Sequence, residues 1–140
     1  MFKRRLRIVF VQEHDQGLSR AAAGYAAAAH DDWLAPQAAC VQDPGPALSD
    51  PLTAAVNELG IALADEAVPW DAGAEPAPDL VITLGEAAWD ALPALPAGTQ
   101  HRHWPLAGHD RATLAELVER VDGVVGGLRL LARVDDPGKV

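Results

Sequence analysis

The sequence predicts an α/β protein with a four-stranded parallel sheet flanked by helices on both faces, and three observations lead there. Strand-like and helix-like segments alternate four times over 140 residues, the arrangement that gives parallel strands joined by right-handed crossovers. Leu6-Arg7-Ile8-Val9-Phe10-Val11 and Leu80-Val81-Ile82-Thr83-Leu84 are nearly continuous apolar runs, as strands covered on both faces require. Near the other end, Leu114, Leu117, Val118, Val121, Val124, Val125, Leu128 and Leu131 recur at helical spacing and mark one apolar face.

The first strand, Leu6–Val11, runs into the polar turn Gln12-Glu13-His14-Asp15-Gln16-Gly17-Leu18. Ser19 then caps an Ala-rich helix that ends near His30. Gln37–Val41 is a weaker second strand. Asp50 caps, Pro51 opens and Gly60 stops a second helix through Leu59. Residues 64–79, rich in Pro, Gly, Ala and acids, read as an irregular loop, long enough to suggest a function. Leu80–Leu84 is the third strand, and a short helix follows from Glu86 to about Leu92. His101-Arg102-His103-Trp104 is the fourth strand, and Asp110 caps the last helix. Within that helix, Gly123, Gly126 and Gly127 either weaken it or permit close packing. One domain over 1–134 with a tail at 135–140 is expected.

Composition excludes several functions. The formal charge is −9, and between Ile8 and Gln100 the only Lys or Arg is Arg20. Phosphate contacts from Lys and Arg supply most nucleic-acid affinity, so no nucleic-acid partner is expected, and no anionic membrane surface either. No apolar run reaches the twenty or so residues that span a bilayer. The basic start, Met1 to Arg7, is followed by only Ile8 to Val11 and lacks a small-residue cleavage site, so a cytoplasmic location is expected. The single Cys40 rules out an internal disulfide and dithiol redox chemistry.

In folds of this class ligands bind at the carboxyl ends of the strands, which gathers residues 12–19, 85–88 and 104–110 around one crevice. Candidate ligand-binding residues are therefore Gln12, Glu13, His14, Asp15, Gln16, Gly17, Ser19, Trp104 and His109. His14, Asp15, His109 and Asp110 suggest an N/O metal site, but their spacing matches no metal motif. His101 and His103 are read as pointing to opposite faces of their strand, so no metal or other cofactor is assigned. Ser19 has no evident base to make it a nucleophile. Trp70 stands by itself in the acidic loop, where an aromatic serves as a partner-binding anchor or as a cover for the sheet.

The segments "IVFVQEHDQGLS" (8–19), "SDPLTAAVNELGI" (49–61), "PDLVITLGEAAWDALP" (78–93) and "RHWPLAGHD" (102–110) together resemble the low-molecular-weight protein tyrosine phosphatases and the arsenate reductases that share their fold. In that family a strand ends in Val-Cys, five loop residues follow, and Arg-Ser opens a helix. The resemblance implies the strand order 2-1-3-4. It also implies a thiolate nucleophile at the position of Gln12, an oxyanion-clamping Arg at that of Leu18 and a general acid near Ala107 or Gly108. The reductases' further cysteines align near Gly85 and Leu92. None of these groups is present, so neither phosphatase nor arsenate reductase activity is expected.

In the family, loop amides converge on an anion at the helix N-terminus. Glu13 and Asp15 placed there repel a dianion by about 1 kcal/mol or more per contact in a partly buried site. Either a loop carboxylate folds back onto those amides, or the site has turned to neutral or cationic ligands. The leading expectation is a catalytically disabled domain that works by binding a protein partner, a second copy of itself, or a neutral or cationic small molecule. The alternative is an enzyme with replaced chemistry that uses His14, Asp15 and His109.

Overall fold

Buried apolar strands sit at the centre of the molecule, as their sequences require. The computed structural model describes residues 6–14, 17–30, 34–42, 50–64, 67–71, 77–92, 95, 98–106 and 110–134, with backbone only at 30 and 128–134. In order along the chain these form β1 (Leu6–Gln12), α1 (Leu18–His30), β2 (Leu34–Cys40), α2 (Asp50–Leu59) and β3 (Val68–Pro69). β4 (Leu80–Leu84), α3 (Glu86–Ala91), β5 (Gln100–Trp104) and α4 (Arg111–Val134) complete the series. The sheet is parallel throughout, in the order β3-β2-β1-β4-β5.

The four expected strands take the expected relative order, but the sheet has five strands rather than four. The extra strand, β3, lies within the stretch read as an irregular loop. It pairs Val68 with Ala39 and Pro69 with Cys40, and Trp70 N–H continues the pairing to the Cys40 carbonyl at 2.8 Å. A two-residue strand is too short to carry a periodic signal. β2 also begins earlier than expected, with Pro36 beside Ile8 in the ladder. Proline is tolerated there because β3 pairs only with the end of β2, leaving its start at a sheet edge.

One face of the sheet packs Ile8, Phe10, Ala38, Leu80 and Ile82 against α1, α2 and α4. Burying side chains such as Ile8, Phe10 or Leu117 stabilises the fold by roughly 1.5–3 kcal/mol each. Ala21, Ala22, Ala23 and Ala26 keep α1 thin enough to approach closely. The closest approach is at Gly24, where a Cβ would fall 1.8 Å from the Ala62 carbonyl oxygen. Arg20 pins the same segment, donating from Nε to the Ala64 carbonyl (3.0 Å) while its own carbonyl accepts Ala64 N–H (3.1 Å). Opposite, Val9, Val11, Ala39 and Val81 are covered by Trp70, Leu92 and Leu95 and by the short α3. The helical cover is therefore two-sided but unequal.

The helix ends follow local chemistry. Gly60, at φ 68°, closes α2, with Gly60 N–H donating to Asn57 O (3.2 Å) and Ile61 N–H to Val56 O (3.0 Å). Asp110 caps α4 as expected, its Oδ1 accepting Thr113 N–H at 2.9 Å. Leu114, Leu117, Val121 and Val125 of α4 are buried, while the side chains of Leu128 and Leu131 lie outside the described residues. Gly123, Gly126 and Gly127 are exposed, and a Cβ at any of them would meet nothing within 4 Å among the described residues, so close packing is not their purpose.

Candidate functional site

Because the strands are parallel, Gln12, Leu84 and Trp104 end β1, β4 and β5 at the same edge of the sheet. Gly85 N–H donates to the Trp104 carbonyl at 2.8 Å and joins two of these ends. The β1–β2 pairing runs on past the strand, from Val41 N–H to Gln12 O (3.0 Å) and from Gln42 N–H to Glu13 O (2.8 Å). The first two residues of the turn are thus held as an extension of the sheet.

The side chain of Gln12 turns back over the helix. Its Oε1 accepts the Ser19 N–H at 3.0 Å in a buried contact, with Gln12 only 5% exposed. The first turn of a helix has amides with no partner in the helix itself, and here one is satisfied by an amide oxygen seven residues upstream. The expectation that Ser19 caps α1 is corrected. The helix begins at Leu18, Ala21 N–H donates to the Gly17 carbonyl at 2.9 Å, and Gly17 takes φ 95°. The Ser19 side chain is fully buried, and its hydroxyl has no hydrogen-bond partner among the described residues. Leu18 is 1% exposed and belongs to the core.

Glu13 and His14 are partly exposed and touch each other, Oε1 to Nε2 at 3.1 Å. Asp15, Gln16 and His109 lie outside the described residues. Trp104 is buried and packs beside Phe10, ring centroids 6.2 Å apart. Gly85, where the reductase resemblance implies a cysteine, has φ 88° and ψ 155°, a backbone region essentially confined to glycine. Trp70 lies over the second face of the sheet, with its indole nitrogen buried.

A second group of polar side chains overturns the expectation that the two β5 histidines point to opposite faces. His101 and His103 share one face of β5, since positions two apart on a strand point the same way. Both approach the buried Thr83 hydroxyl, His101 Nε2 at 3.1 Å and His103 Nδ1 at 2.9 Å. Trp89 stacks on His101 at 4.8 Å and lies tilted against His103 at 4.9 Å. Burial, then the neighbouring His103, lowers the pKa of His101. Among the described residues no three or more His, Cys, Asp or Glu side chains are grouped to hold a metal ion. Nor is any helix of theirs long and apolar enough to cross a membrane.

No protein-family model matches the chain, and no curated protein matches it. Solved structures do. A thioredoxin-dependent arsenate reductase of Corynebacterium glutamicum superposes with a TM-score of 0.74 at 20% identity, over 93% of this chain and 65% of that one. This chain therefore spans about two thirds of that reductase's length. An arsenate reductase of Archaeoglobus fulgidus gives 0.66 at 24% identity, over 85% of this chain and 98% of that one. A mutant of YwlE from Bacillus subtilis gives 0.61 at 17%, over 89% and 99%. The chain has the fold shared by the arsenate reductases and low-molecular-weight phosphatases.

Proposed function

We propose that the chain is a catalytically inactive phosphatase- and arsenate reductase-like domain that acts by binding, through the reshaped crevice at loop 12–19 and the acidic loop 64–79. The observation that carries this reading is the Gln12–Ser19 contact. An anion in such a fold is held by the amides at the start of the first helix, and one of them is already taken by the chain's own amide oxygen. The same residue stands where the resemblance implies the nucleophile, and a carboxamide is not a nucleophile at neutral pH. Leu18 supports the reading from the other side, because its side chain is spent on the core rather than on an oxyanion. Glu13 adds negative charge to the rim, so the crevice favours a neutral or cationic group, on a small molecule or a protein.

The test is direct. Purified protein given an aryl phosphate, or arsenate with a reductant, is expected to show no turnover, and phosphate is expected to leave the Ser19 amide resonance unmoved. Steady turnover abolished by Gln12→Ala and retained by Cys40→Ser overturns the reading. A defined partner that binds the pure chain, and is lost from the doubly substituted Glu13→Ala, His14→Ala protein, supports the binding role.

A further inference from the structure

On the sheet face opposite α1, α2 and α4 lies a pocket of about 130 Å3, away from the carboxyl-end crevice. Val9, Ala35 and Ala39 line it from β1 and β2, and Val68 and Trp70 from the loop strand and the residue after it. Two of its lining residues, Arg7 and Trp70, carry buried donors with no acceptor among the described residues, the guanidinium Nε and the indole Nε1. Arg7 makes no ion pair among the described residues, although its backbone is fixed by Asp79 on both sides: Arg7 N–H donates to Asp79 Oδ2 at 2.8 Å, and Asp79 N–H to Arg7 O at 2.9 Å.

Buried donors without acceptors destabilise a fold, and a cavity beside them is where a ligand removes the penalty. Both groups can only donate, and the guanidinium is a permanent cation, so the matching ligand atom is an anionic oxygen. The remaining walls are mostly apolar, which disfavours inorganic phosphate or sulfate, whose oxygens all need donors. An apolar cavity of about 150 Å3 accommodates a benzene-sized molecule, so the space suits a compact hydrocarbon body. We propose that this pocket binds a small carboxylate with a compact apolar body, its oxygens facing Arg7 and Trp70. Asp71 also lines the pocket and has an interaction of its own; its charge distinguishes a plain carboxylic acid from an amino acid, whose ammonium it would face.

Isovalerate, isovaleramide and L-valine share one skeleton and separate these terms. In titrations of the full chain followed by calorimetry and by the Trp70 indole N–H resonance, isovalerate is expected to bind and shift that resonance. Isovaleramide is expected to bind at least about tenfold more weakly, and Arg7→Gln to weaken isovalerate by a similar factor. Trp70→Phe, which keeps an aromatic ring but removes the donor, is expected to weaken it several-fold and keeps the test decisive if Arg7→Gln does not fold. Tighter binding of L-valine than of isovalerate assigns the site to amino acids, and weaker binding assigns it to plain acids; both support a carboxylate site. Unchanged affinity in Gln12→Ala separates this site from the crevice. No shift with millimolar isovalerate, or equal binding of the amide, overturns the proposal.

Discussion

Gln12 does at residue scale what a capping side chain usually does from the adjacent position. Its Oε1 reaches the second amide of α1 across a turn that the sheet itself holds in place. Gln12→Ala is therefore expected to lose about 1 kcal/mol, the usual worth of a helix cap, read as a lower urea midpoint at unchanged slope. Gly85 is constrained by its backbone instead. Alanine there must adopt a glycine-only conformation, with its Cβ 3.4 Å from the Leu106 carbonyl, so Gly85→Ala is expected to cost about 1–3 kcal/mol in the same assay. His101 gives the chain a pH dependence. Its folded pKa lies below the ordinary 6.5, so the unfolded chain binds the proton more readily. Its contribution is complete above the unfolded value and declines as pH falls through 6.5 towards the lowered folded value. Wild-type urea midpoints are expected to fall over that interval more than those of His101→Gln.

Among the elements, α1 carries the tightest fit. It meets the 62–64 segment through Gly24 and Arg20, and it meets α4 through Tyr25, whose hydroxyl reaches both carboxylate oxygens of Asp122 at 2.9 and 2.8 Å. Gly24→Ala drives a Cβ into backbone that cannot move aside as a side chain would, and a loss of about 1–3 kcal/mol or more is expected, measurable by thermal melting. Tyr25→Phe removes a hydrogen bond in an exposed setting and is expected to cost about 1 kcal/mol or less. The contrast between the two variants tests whether α1 is held chiefly by its close packing. The elements also show how far local pattern reaches. The apolar runs of β1 and β4, the stripe of α4, and the caps at Gly60 and Asp110 were legible because each is written in consecutive residues. β3 and the start of β2 were not. A two-residue strand has no period, and Pro36 argues against a strand until the open edge beside it is known.

For the molecule as a whole, the unequal covering of the sheet organises everything else. Three helices seal one face, while α3, Trp70 and the loop residues cover the other and leave the pocket beside Arg7. The carboxyl-end crevice and this pocket are separate places, which is why a variant at Gln12 is expected to leave carboxylate affinity unchanged. The sequence by itself determined the class of fold, the order of the four principal strands through its resemblance, and the absence of a thiol at position 12 and of a guanidinium at position 18. It did so because residue identity and periodicity are local properties. Only the tertiary structure decided that Gln12 fills the amide at Ser19, that His101 and His103 meet at Thr83, and that Arg7 and Trp70 line one cavity with unmet donors. Those facts depend on distances between side chains far apart in the chain, and such distances exist only once the strands have paired and the helices have closed over them.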